Sequence, residues 1–171
     1  MYRLLVSILG ATAVALAVVT GPQSAGGLQA PRPGIAKSSL LCPVPAHLRP
    51  PFVAAARRAH VQLSLLAAVA QVESRFDQGA RSEAGAVGVL QLLPSTAAEL
   101  KLDPHRSRSN VLAGALYLKQ MLDRYRSPAL ALAAYNAGPA AVDRVAGPTS
   151  FETAAYAVNV QVWWQAFKGC T

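Results

Sequence analysis

The stretch that most constrains the fold is Ser64-Leu-Leu-Ala-Ala-Val-Ala-Gln-Val-Glu-Ser-Arg-Phe76. Its spacing predicts one amphipathic helix with a hydroxyl N-cap at Ser64. At about 100° per residue, Leu65, Leu66, Val69, Val72 and Phe76 share one arc, with Gln71 and Arg75 opposite as a solvent face. Glu73 breaks the pattern, because it falls inside the apolar arc one turn on from Val69. A carboxylate aimed at a core must be ion-paired, hold a proton, or border a cavity. A satisfied pair, or a glutamate leaning back to water, is one reading. A catalytic acid whose pKa is raised by desolvation is the other.

The chain has 171 residues, 53% of them hydrophobic, enough for one domain with a real core. Part of that apolar excess is set apart at the start. Arg3, the apolar run from Leu4 to Val19 and the breaker Gly21-Pro22 have the layout of a secretory signal peptide over residues 1–26, with an uncleaved anchor as the alternative. Residues 27–49, rich in Pro, Gly and Ser, read as a linker. The domain expected to carry function is 50–171. An exported product follows, in the periplasm, the cell wall or outside the cell. In that oxidising setting Cys42 and Cys170, at opposite ends of the folded part, are expected to close one disulfide; two buried free thiols are the alternative.

The formal charge is +8. Such a chain favours polyanionic partners, and for an exported protein these are the wall or a membrane surface. The basic residues are scattered and not interleaved with aromatics, so nucleic acid is not an expected partner. His47, His60 and His105 are isolated and neither cysteine belongs to a CxxC, so no metal site and no cofactor are expected. No G-x-S-x-G nucleophile motif occurs.

Downstream, a first helix is expected from Pro50 or Pro51. Residues 77–92, with glycines at 79, 85 and 88, read as an irregular segment or a short β-hairpin. Thr96 and Glu99 have capping-box spacing, and Asn110 reads as the cap of a helix from Val111 to about Arg126. Shorter helices follow over Ala129–Asn136 and Ala140–Val145. A last one covers Phe151–Phe167, with Tyr156, Val160 and Trp163 or Trp164 turned inward. The fold class is mainly α. Of the eight carboxylates, Asp123 and Asp143 sit among basic residues, Asp103 precedes a proline, Glu99 serves the cap, and Glu152 suits a helix N-terminus. Elimination leaves Glu73, with Asp77 and Glu83 as possible helpers. One buried-edge glutamate beside a glycine-bearing loop fits general-acid catalysis on a sugar polymer.

Six blocks occur in order: Glu73-Ser74; Ser82-x-x-Gly85-Ala86-x-Gly88-Val89-Leu90-Gln91; Pro94-x-Thr96-Ala97; Asn110 with Gly114 and Tyr117-Leu118; Ala134-Tyr135-Asn136-Ala137-Gly138; and Glu152-Thr153-x-x-Tyr156. Together they resemble the soluble lytic transglycosylase family over roughly residues 50–168. The resemblance implies a lysozyme-like fold related to goose-type lysozyme. It implies non-hydrolytic cleavage of the MurNAc–GlcNAc β-1,4 bond of peptidoglycan, leaving 1,6-anhydro-MurNAc ends. Glu73 matches the single acid/base, and Ser74 a structural partner at the helix end. Ser82, Gln91, Tyr135, Asn136 and Tyr156 match residues of the sugar cleft. Val89-Leu90 departs from the family's usual Leu-Met, which bears on subsite packing. The implied partners are peptidoglycan glycan strands, and for a small monomer an envelope-spanning secretion, pilus or conjugation machinery. A hydrolytic muramidase, with Asp77 or Glu83 positioning water, is the nearest rival. A non-catalytic wall-binding protein is a more distant one.

Overall fold

The computed structural model describes residues 42–170. The expected signal peptide and most of the expected linker lie outside the described residues. Among the described residues seven helices run in order: α1 (Arg49–Ala59), α2 (Leu63–Glu73), α3 (Pro94–Glu99), α4 (Ser107–Tyr125), α5 (Pro128–Ala137), α6 (Pro139–Val145) and α7 (Phe151–Ala166). Their starts are set by chemistry that needs no long-range information. Prolines occupy the first turns of α1, α3, α5 and α6, where the missing N–H costs nothing. Ser127 and Ser150 accept from Leu130 N and Thr153 N to cap α5 and α7. His60, Arg126 and Ala146 turn left-handed and end α1, α4 and α6. None of the described helices is long and apolar enough to cross a membrane.

Packing places α2 at the centre of the site. It lies on α7 and α1, α4 lies on α1 and α5, and α5 lies on α7. Every residue from Ser64 to Ala70 is buried, so apart from its first turn, where Leu63 and Ser64 border a groove, this part of α2 has no solvent face. The expected one-sided arc is corrected here: α2 is a core helix, clothed all round. Ser64 is not its cap. Gln62 takes that position and Ser64 is the second helical residue. The helix also stops at Glu73, three residues earlier than the apolar spacing suggested. Arg75 and Phe76 both take positive φ, 53° and 66°, which turns the chain out of the helix. The Phe76 ring is buried against Phe52, 5.9 Å between centroids, and that packing offsets an unfavourable backbone.

Core packing extends to residues ahead of Pro50. Val44 and Leu48 are buried in the core, and a disulfide joins Cys42 to Cys170 across 128 residues of sequence. Chain-entropy reasoning gives such a closure a stabilisation of at most roughly 4–5 kcal/mol.

Two further expectations are revised, and a third is narrowed to one of its two options. α3 starts on Pro94 with Leu93 as N-cap, so Thr96 and Glu99 form no capping box. Asn110 is not a cap, because α4 begins at Ser107 and Asn110 lies within its first turn, buried. In α7, Tyr156 and Val160 face inward as expected, and of the two tryptophans it is Trp164 that packs, half-buried, against the core and donates to Gln62 Oε1 at 3.0 Å, while Trp163 is 41% exposed.

Residues 77–92 form no strand. Two isolated antiparallel bridges, Arg81 with Val87 and Val87 with Leu92, fold the segment back on itself. Gly88, at φ +77°, lies under the Asn110 side chain. A Cβ there would meet Asn110 Nδ2 at 2.6 Å, so both the backbone angle and the close approach demand glycine.

Candidate active site

Glu73 ends α2, and its side chain lines a cleft of about 350 Å3 shared with Ser82, Gln91, Tyr117, Tyr135 and Asn136. Glu73, at the half-buried C-terminal end of α2, lies between one wall formed by the 82–93 segment and another formed at the junction of α5 with α6. Behind the carboxyl stands Tyr156 of α7, buried, whose hydroxyl donates to Glu73 Oε1 at 2.6 Å. Among the described residues Glu73 Oε2 has no protein partner, and no cation pairs with the carboxylate. Of the two readings left open by the sequence, the satisfied ion pair is absent among these residues.

Desolvation therefore dominates the electrostatics. It lifts the Glu73 pKa from 4.5 to about 7, against a smaller downward pull from the Tyr156 hydrogen bond. Near neutrality the carboxyl is poised to give a proton or take one. The Tyr156 and Tyr135 hydroxyls are pushed well above 10, first by burial and then by the nearby Glu73 charge. Both remain protonated donors in any ordinary medium.

The glycine-bearing wall is held by side chains rather than by a sheet. Asn110 Oδ1 accepts from Leu90 N at 2.9 Å, and its Nδ2 donates to Val87 O at 2.8 Å and to Pro104 O at 3.1 Å. Ser74 Oγ donates to Val89 O at 2.8 Å, and Tyr135 Oη donates to Leu90 O at 2.9 Å. The peptide carbonyls of a segment without strand partners are thus satisfied one by one. The effect is to fix Gln91, at φ 45°. Its Nε2 donates to Gly88 O at 2.9 Å and to Ala80 O at 3.2 Å.

The site residues expected from the sequence come together with different geometries. Glu73, Ser82, Gln91, Tyr135 and Asn136 all line the cleft. Ser82 Oγ accepts from Ala86 N at 3.1 Å. Tyr135 bonds the wall rather than the glutamate. Tyr156 lies behind Glu73 and outside the lining. Asp77 and Glu83 do not line the cleft, and Asp77 Oδ1 accepts from Gly79 N at 2.8 Å in its own turn. Val89 and Leu90 are wholly buried and also absent from the lining. Leu90 packs on Gly114, where even a Cβ would come within 2.2 Å of it.

Two residues were passed over in the sequence. Tyr117 lines the cleft with its ring 5.1 Å from that of Tyr135; its only sequence signal was the Tyr117-Leu118 block. Asn110 had been given the role of a helix cap. The polar first turn Ser107-Arg108-Ser109 ahead of it gave no signal that Asn110 alone is turned inward.

Comparison with known proteins bears on this geometry. The Transglycosylase SLT domain family matches residues 50–157. A transglycosylase of Enterobacteria phage PRD1 is 36% identical over 86 residues, 50% of this chain and 32% of the relative. Membrane-bound lytic murein transglycosylase F of Nitrosospira multiformis is 36% identical over 100 residues, 54% of this chain and 21% of the relative. Among solved structures, an inactive mutant of lytic transglycosylase Slt from Pseudomonas aeruginosa superposes with a TM-score of 0.64 at 29% identity, over 71% of this chain and 24% of that one. The chain spans about a third or less of the length of each of these relatives.

Proposed function

Because the chain belongs to the Transglycosylase SLT domain family, we propose that it is a peptidoglycan lytic transglycosylase in which Glu73 is the only acid/base. The observation that carries this reading is the cleft with one desolvated carboxyl and no second carboxylate in its lining. Hydrolytic glycosidases commonly divide the work between two carboxylates, one of them activating water or attacking the sugar. Here a second carboxylate is not at hand among the lining residues, so one group must serve both halves of the reaction.

In the first half, Glu73 in its protonated form donates to the glycosidic oxygen linking N-acetylmuramic acid to N-acetylglucosamine. The C1–O bond breaks, and the substrate's own acetamido oxygen shares the positive charge left at C1. In the second half, Glu73 as carboxylate takes the proton from the C6 hydroxyl while that oxygen closes on C1. The product is a 1,6-anhydro ring, no water is consumed, and Glu73 regains its proton. A pKa of about 7 suits both directions of transfer. Tyr156, a fixed donor on Oε1, orients the carboxyl so that Oε2 faces the cleft. Gln91, Asn136, Tyr135 and Ser82 are assigned to the walls that hold the sugars, and Tyr117 joins them as an apolar face. The protein works on glycan strands outside the cytoplasm, and any machinery that directs it there is a further partner.

Mass analysis of purified peptidoglycan after digestion tests the reading. Chain ends lighter by one water, the anhydro form, are expected. Reducing ends would support the hydrolytic muramidase instead. Full wall binding without release of fragments would point to the non-catalytic alternative.

A further inference from the structure

A second groove, larger than the cleft, lies elsewhere on the domain. It encloses about 580 Å3 at the opposite end of α2, between the C-terminal turns of α1, the α1–α2 link and the segment leading to the disulfide. Val53 and Val61 give it an apolar side. Arg57 and Lys168, both exposed, line it, as does His60. No acidic residue lines it.

Its floor is the start of α2. Gln62 supplies no side-chain cap, and its amide is already engaged by Trp164. Among the described residues the N–H groups of Leu63, Ser64 and Leu65 have no acceptor. Ser64 adds an independent sign. As a residue it is 95% buried and it lines the groove, and its hydroxyl, without a protein partner among the described residues, is the part left open to the groove. A hydroxyl open to the groove on an otherwise buried serine, and three free amides of an eleven-residue helix under two cations, suit an anion with oxygen acceptors.

We infer that this groove is a second binding site, for the terminal carboxylate of a short peptide with small apolar side chains, carried on the glycan strand as a stem peptide. The carboxylate sits on the free amides and Ser64 Oγ, flanked by Arg57 and Lys168, and the side chains cover Val53 and Val61. The assignment to stem peptides rests on peptidoglycan being the substrate of the cleft. Reach is compatible with it. From Leu63 to Glu73 the helix is about 15 Å long at 1.5 Å per residue, and four or five extended peptide residues span roughly 13–18 Å. A strand held at Glu73 can thus lay a peptide along the body of the domain, and the enzyme senses peptide-bearing strands separately from bare ones.

Titration of the isotopically labelled protein with acetyl-Ala-Ala, as the free acid and as the amide, reads the site without any turnover. The amide resonances of Leu63, Ser64 and Leu65 are expected to move with the acid and stay still with the amide. Arg57→Glu with Lys168→Glu weakens that binding by about tenfold or more, and Ser64→Ala by a smaller factor. In cleavage assays the double variant raises KM several-fold on peptide-bearing strands and leaves it unchanged on strands stripped of peptide. Equal shifts with acid and amide, or none, overturn the site. An equal KM change on both strand types overturns the stem-peptide assignment. Neither outcome depends on whether Glu73 is the acid/base, which the binding titration does not involve.

Discussion

Two carboxylates in this domain accept a hydrogen bond from a tyrosine, and they end at opposite sides of the ordinary pKa. Glu73 accepts from Tyr156 at 2.6 Å, and Asp143 accepts from Tyr125 at 2.8 Å. In both the tyrosine favours the charged form. At Asp143, exposed and also bound by Arg124, it is the largest influence, and the pKa falls below the usual range. At Glu73 burial outweighs it, and the pKa rises to about 7. The partner is the same in kind; the solvent and the missing cation make the difference. A tyrosine–carboxylate contact is therefore no mark of a catalytic group by itself. Burial without a countercharge is.

The comparison can be broken by removing one member at a time, and the largest effect falls on activity. Glu73→Gln keeps the shape and the Tyr156 contact but removes the proton traffic. Cleavage should drop by about 10²–10⁴-fold or more, as loss of a general acid/base does; assay of fragment release from purified wall measures it. Asp143→Asn should leave that rate unchanged.

The same substitution should stabilise the fold, in a pH window given by the shift. Glu73 binds its proton more tightly folded, with a pKa of about 7 against 4.5, so below about 4.5 both states are protonated and burial costs nothing extra. As pH rises through 7 the folded state must carry a desolvated charge, and stability falls by up to about 3 kcal/mol. Melting curves of wild type and Glu73→Gln should coincide near pH 4 and separate by several degrees at pH 8, with the variant higher. Separation at pH 4 instead would contradict the sign.

A smaller effect sharpens the role of the tyrosine. Tyr156→Phe removes the one hydrogen bond that favours the Glu73 carboxylate, so the Glu73 pKa should rise by about one to two units. The pH profile of cleavage should move to the alkaline side by the same amount. The least effect is expected from Tyr125→Phe, which should move the Asp143 pKa back up toward 3.8 and leave cleavage unchanged.

Much of this was legible in the sequence, and unevenly so. The helices α5 to α7 were legible from Ser127-Pro128, Gly138-Pro139 and Gly147-Pro148, because such signals act within a few residues, whereas α4 begins three residues before the cap expected at Asn110. Glu73 stood out because one acid in an apolar arc is costly wherever the arc is buried. The extent of α2 was harder. Its apolar spacing ran on to Phe76, but Phe76 packs on Phe52 from a left-handed turn outside the helix. Local pattern alone does not separate those two ways of burying a ring. Ser64 and Asn110 show the same limit from the polar side. Each had the chemistry of a cap, and each was drawn into the interior by partners distant in sequence: the 87–90 segment for Asn110, and the closed packing around α2 for Ser64. The Thr96–Glu99 box failed because Pro94 had already set the helix start two residues earlier. Tyr156 reaches Glu73 across 83 residues of sequence, and no spacing rule encodes such a contact; only the resemblance brought the two residues together.

The central claim is that Glu73 holds a proton near neutral pH because it is buried without a cation. Carboxyl ¹³C NMR titration of Glu73, assigned by the Glu73→Gln variant, tests it most directly. A midpoint near 7 is the predicted result. A midpoint at the ordinary glutamate value of about 4.3, in a protein that cleaves wall at neutral pH, would contradict it.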